Sequence, residues 1–149
     1  MKLVAISIVS WAAGLVAYLA ALRGFWGQGI GPGDLGAVMF WSALAATVAI
    51  ATAYAPTMFA LRNRLRHRRV AGWVVFPIVG MALGVLPVLF IVGLWSNSIG
   101  RALMSPEAVL FYCMFAAFGA VFGSGFFLAY GRRSVQQAPA PYGGRSNPW

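Results

Sequence analysis

Four stretches of this chain are almost free of charge, and each is long enough to cross a lipid bilayer. They are residues 3–22, 35–61, 70–95 and 106–130, and the one charged residue among them is Glu107, at the start of the last. About 20 predominantly apolar residues suffice to traverse the hydrocarbon as a helix. In that medium every backbone N–H and C=O must be paired within the protein, so each run is expected to be helical. None shows the strict alternation of a barrel strand. The second and third runs exceed the minimum, which implies tilt or extension beyond the bilayer. The connections are short, and short links make neighbouring helices antiparallel. The expected fold class is all-α: a polytopic membrane protein built as a four-transmembrane-helix, up-down-up-down bundle over residues 1–133. The remainder, 134–149, is rich in Pro, Gly and polar residues and is expected to be a disordered cytoplasmic tail.

Composition agrees with that solvent. Of 149 residues, 61% are hydrophobic and 9% charged, whereas soluble domains carry roughly 25% charged residues. A soluble domain this small has too much surface for its volume to hide so much apolar area. The alternative for the first run is a signal peptide, since Met1 and Lys2 precede it. However, its 20 residues exceed the usual apolar core of such a leader, and no clear A-x-A site follows. Cleavage would leave three spans with their orientation unchanged.

The net charge of +9 suggests nucleic acid only if it is spread over a soluble surface. Here it is divided by the apolar runs. Lys2, Arg62, Arg64, Arg66, Arg68, Arg69, Arg132, Arg133 and Arg145 fall on one side, and Arg23 and Arg101 on the other. Cytoplasmic loops carry the Lys/Arg excess. Both termini are therefore expected in the cytoplasm, and the protein in a bacterial-type plasma (inner) membrane.

Five arginines, Arg62, Arg64, Arg66, Arg68 and Arg69, crowd around the only histidine, His67. Carrying them into the bilayer centre would cost on the order of ten kcal/mol or more. They form a basic collar that anchors topology, and anionic lipid headgroups are its natural partner. Nucleic acid is not expected as a partner: the turn is too short for a recognition module and has no aromatic residue to stack on bases.

Chemistry beyond this is sparse. The only acids are Asp34 and Glu107. Asp34, after GIGPG, is expected as a helix N-cap. Ser105-Pro106-Glu107 is expected as a second helix start, with Ser capping, Pro at the first helical position and Glu in the first turn. One histidine, one cysteine (Cys113) and two capping acids do not assemble a catalytic or metal centre, and no cofactor is expected. The glycine-rich loop Gly24–Asp34 superficially echoes a phosphate loop, but no strand precedes it, and a surface turn is expected.

Small residues at four-residue spacing let helices approach closely where lipid offers no hydrophobic drive. Ser10 and Gly14, Ala45-Ala49-Ala53, and Gly119 and Gly123 are the candidate packing rows. The third run holds Pro77, Gly80, Gly84 and Pro87, a candidate kink or hinge, because each proline removes a backbone hydrogen bond. The functional expectation is a small integral membrane protein without a catalytic centre. Its role would be structural or accessory, through association with itself or another membrane protein. The alternative is a small oligomeric transporter or channel using the interrupted third helix.

Overall fold

A computed structural model of the chain describes residues 1–27, 29–65, 69–95 and 105–131. The described residues are helical, without strands. The helices are α1 (Lys2–Trp26), α2 (Pro32–Ala49), α3 (Ala55–Arg64), α4 (Arg69–Trp95) and α5 (Pro106–Phe126), and single π-helical turns cover Ile50–Tyr54 and Phe127–Gly131. Among the described residues four helical stretches are long and apolar enough to cross a membrane: Lys2–Trp26, Gly33–Arg64, Gly72–Leu89 and Pro106–Tyr130.

Local chemistry sets the ends. α1 runs past Arg23 and Gly24 to Trp26, further than the apolar run implied. It stops where Gly27 turns left-handed (φ 63°) and donates its N–H to the Arg23 carbonyl at 3.0 Å. Only glycine adopts that conformation without strain. The start of α2 corrects an expectation. Gly31, not Asp34, is the N-cap, because Pro32 has its φ already fixed for a helix and begins it. Asp34 falls in the first turn, where its charge still favours the helix dipole. At α5 the expected cap forms: the Ser105 hydroxyl accepts from the Ala108 N–H at 3.2 Å, with Pro106 and Glu107 following.

The second apolar run is not one uniform α-helix. Pro56 has no N–H and its ring crowds the carbonyl four residues earlier. Just before it the helix widens, and the Ala55 N–H reaches back to the Ile50 carbonyl instead of to Ala51. This turn inserts one residue into the helical period. Before it the buried positions are Ser42 and Ala46; Tyr54 is buried at its last position and Met58 beyond it. α4, by contrast, stays helical through both Pro77 and Pro87.

α5 lies at the centre and packs along α1 on one side and α4 on the other. The core is largely aromatic. Phe118, Phe122 and Phe126 stack down one face of α5 at centroid spacings of 6.0 and 6.5 Å. Tyr54 meets Phe118 and Phe122 edge-on, at 5.2 Å from each. Phe76 of α4 stacks on Phe126 at 5.9 Å, and Phe59 of α3 meets Phe126 edge-on at 5.0 Å. Aromatic pairs of this kind contribute about 0.5–1.5 kcal/mol each beyond their area. α2 stands apart. Among its described side chains only Ser42 and Ala46 are buried.

Candidate functional site

The small residues picked out by their spacing fall on two seams within the chain. On the first, Gly80 of α4 and Gly119 of α5 face one another, and a Cβ on either would overlap the other's carbonyl oxygen. The same contact repeats along both helices in reverse order: Gly84 lies against the Phe115 carbonyl, Gly123 against the Phe76 carbonyl, and Gly72 against the Phe127 ring. On the second seam, Ser10 and Gly14 of α1 are buried against α5. A Cβ at Gly14 would lie 3.0 Å from the Met114 carbonyl oxygen and 3.3 Å from the Phe118 Cβ. The Ser10 hydroxyl donates to the Ile6 carbonyl of its own helix at 2.7 Å, so it is satisfied without a partner helix.

The third row is placed differently. Ala45 is exposed, and Ala49 and Ala53 are only half-buried. The residue that ties α2 to the bundle is Ser42. Its hydroxyl accepts from the Trp11 Nε1–H of α1 at 3.1 Å and donates to the Met39 carbonyl at 3.1 Å.

Behind α2 the structure opens. A cavity of about 520 Å³ lies between α2 and α4 with α5 as its floor, lined by Trp41, Ala45, Tyr54, Leu83, Pro87 and Phe115 among others. A second, of about 450 Å³, lies nearer the α1–α2 link and shares Trp41, Ala45 and Phe115 with the first. The two make one apolar cleft along α2. Among the described residues no Asp, Glu, Lys, Arg or His lines either part. Two polar features lie at the larger cavity. The Tyr54 side chain is 1% exposed and its hydroxyl has no hydrogen-bond partner. It ends beside Gly84, where a Cβ would come within 2.7 Å of it. Pro87 in turn has no N–H to offer the Leu83 carbonyl. Thr52, also in the lining, is already satisfied by donating to the Val48 carbonyl at 2.8 Å.

Sequence reasoning missed Tyr54, the Trp11–Ser42 bond and the cleft. The available signal was a tyrosine two residues before a proline inside an apolar run, since a buried phenol normally needs a partner.

Of the basic collar, Arg62 and Arg64 occupy the last turn of α3, Arg62 half-buried and Arg64 exposed. Arg69 opens α4. Arg66, His67 and Arg68 lie outside the described residues, as does the tail 134–149. Cations in a last helical turn interact favourably with the dipole. Among the described residues no three His, Cys, Asp or Glu side chains come together as a metal site. Cys113 is a free, half-buried thiol on α5.

Among the described residues these features define an all-helical arrangement with four helices long and apolar enough to cross a membrane, an aromatic core and an apolar cleft. No family model, curated protein or solved structure matches the chain.

Proposed function

We propose that the chain is a small integral membrane protein that crosses a bacterial-type plasma membrane four times, up-down-up-down, with both termini in the cytoplasm. It has no catalytic centre of its own and acts as a structural or accessory partner through helix association. The distribution of Lys and Arg, nine on one side of the apolar runs and two on the other, supports the orientation. Arg62, Arg64, Arg66, Arg68 and Arg69 hold the α3–α4 turn at the inner surface among anionic headgroups.

The observation that carries the accessory role is the state of α2. The glycine seams of α1, α4 and α5 are already filled within the chain, whereas Phe40 and Thr47 of α2 and Ala51 of the π turn that follows face outward, away from the cleft that Leu44 and Val48 line. The hydroxyls at Thr47 and Thr52 are satisfied by the helix's own backbone. That leaves an apolar, self-contained face able to pack against another helix without unpaired polar groups.

A photoreactive amino acid placed at Phe40 or Ala51, and for comparison at Val4 of α1, tests this in native membranes. A discrete protein adduct, of a second copy or another membrane protein, is expected at the α2 positions and not at Val4. Lipid adducts alone at all three would overturn the accessory role.

A small oligomeric transporter or channel is the second reading. The prolines at 77 and 87, which leave the Trp73 and Leu83 carbonyls without their usual donors, favour it. Flux through purified, reconstituted protein, abolished by Pro87→Ala, distinguishes it.

A further inference from the structure

Of the four candidate hinge residues in α4, the packing leaves one free. Gly80 is pressed against the backbone of Gly119, Gly84 against the Phe115 carbonyl, and Pro77 lies beside Gly123. Bending α4 between 77 and 84 would break that seam. Pro87 is exposed and lies three residues beyond the last glycine of the seam. A bend there moves residues 88–95 and leaves the seam intact.

Two unpaired groups meet at this point. Pro87 has no N–H, so the Leu83 carbonyl lacks its usual donor. The Tyr54 hydroxyl is buried and has no acceptor among the described residues. Its oxygen lies against Gly84, where a Cβ would come within 2.7 Å. The Leu83 carbonyl carbon is bonded to the Gly84 nitrogen, so one peptide unit separates the orphan acceptor from the place where the orphan donor rests. Each group left alone in a dry medium costs free energy, and one hydrogen bond between them satisfies both.

We propose that α4 is a hinged helix with Tyr54 as its latch. In a second conformation α4 kinks at Pro87, the Leu83 carbonyl tilts off the helix axis, and that carbonyl accepts the hydrogen bond of the Tyr54 hydroxyl. A proline ring crowds the carbonyl four residues earlier, so a kink at Pro87 and a tilt at Leu83 belong to one motion. The carbonyl moves to the hydroxyl, because the Tyr54 ring is held edge-on by Phe118 and Phe122. Phe at position 54 would keep both ring contacts but could not hold the kinked form. The motion changes the width of the cleft: Leu83, Pro87 and Val88 line one wall, and α2 and the π turn line the other. The hinge supplies a moving part for the transporter reading, and it rests on the spanning topology only for the dry medium around α4.

The test is a distance measurement by pulsed electron resonance on the full chain, one copy per phosphatidylcholine nanodisc, in a Cys113→Ala background. Nitroxide labels go on cysteines introduced at the exposed positions Phe40 and Leu89. Two distance populations are expected. A second pair, Phe40 with the exposed Ile78, lies short of the hinge and should give one. Tyr54→Phe should shift the ratio of the 40–89 populations about fivefold away from the kinked form, the effect of one hydrogen bond. Pro87→Ala should lower the same population, since the N–H restored at position 87 occupies the Leu83 carbonyl. An unchanged 40–78 distance shows that each variant is folded. A single 40–89 population in the otherwise unmodified chain, an unaltered ratio in Tyr54→Phe, opposite shifts in the two variants, or two populations at 40–78 would each overturn the proposal. Membrane association is scored separately, by resistance of the chain to carbonate extraction, so failure of the spanning reading is recognised independently.

Discussion

Gly80 and Gly119 touch backbone to backbone: each lacks the one carbon that would collide with the other's carbonyl oxygen. This pair sets the distance between α4 and α5. With Gly84 and Gly123 on either side, it brings the two helices close enough for Phe76 to stack on Phe126. In lipid such proximity is the main source of attraction between helices, since apolar surface gains nothing by leaving apolar solvent.

Gly80→Ala and Gly119→Ala are therefore expected to force the helices apart. A loss of about 1–3 kcal/mol follows from overpacking a close contact. Gly36→Ala, at a helical position with nothing within 4 Å, should leave stability unchanged or slightly raised. Reversible unfolding by SDS in mixed micelles gives both values on one scale.

Trp11→Phe tests the link between α1 and α2. It deletes the 3.1 Å bond to Ser42 while keeping most of the ring. Interhelical hydrogen bonds of this kind in membranes average about 0.6 kcal/mol. Combining it with Ser42→Ala should show coupling of that order in a double-mutant cycle, and additivity would mean that the bond contributes nothing.

Phe122 is fully buried between Tyr54, Phe118 and Phe126. Phe122→Ala should cost about 3 kcal/mol, at the low end for aromatic truncation, because the cavity term survives in lipid while the transfer term does not. Val74→Ala, at an exposed position, should change little. The same SDS titration compares them.

Replacing Arg62, Arg64, Arg66, Arg68 and Arg69 together by Gln reduces the Lys/Arg bias from nine against two to four against two. Mixed insertion is expected, because the remaining excess is small, read by labelling a single cysteine introduced in the α3–α4 turn of a Cys113→Ala background in intact cells. Uniform inward orientation of that variant would show that the collar does not set topology.

Ser105→Ala removes the side-chain cap of α5, whose acceptor serves the Ala108 N–H. A loss of about 1 kcal/mol is expected. Faster amide hydrogen exchange confined to residues 106–109 would locate the effect.

Several of these features were legible in the chain itself. The apolar runs announce helices because residues are added at a fixed rise and the bilayer has a fixed thickness. Ser105-Pro106-Glu107 announces its own cap, because the hydroxyl, the locked φ and the carboxylate all act within one turn. Asp34 shows the limit of the same reasoning. Two candidates for starting α2, Pro32 and Asp34, lie two residues apart, and the proline, already bent to the helical φ, takes the first position.

The alanine row of α2 shows a different limit. Ala45, Ala49 and Ala53 keep a perfect four-residue spacing, and spacing was the only guide to which face would be buried. The buried positions Ser42, Ala46, Tyr54 and Met58 keep the same spacing one residue further along, with the π turn at Ile50–Tyr54 supplying the extra residue between 46 and 54, so spacing alone could not tell which of two adjacent rows faces the core. Pro56 hints at such a disturbance, but a proline can be absorbed by a kink, a break or a widened turn, and α4 passes through two prolines without a break or a widened turn.

Sequence alone determined that the chain carries four helical runs apolar and long enough to cross a membrane, because this depends on local hydrogen bonding and on the polarity of each residue. Which helices touch, where glycine meets glycine, and where a tyrosine hydroxyl is buried against Gly84 were decided only in three dimensions. Those depend on close packing between residues far apart in the chain, where one inserted residue turns a whole face by about 100°.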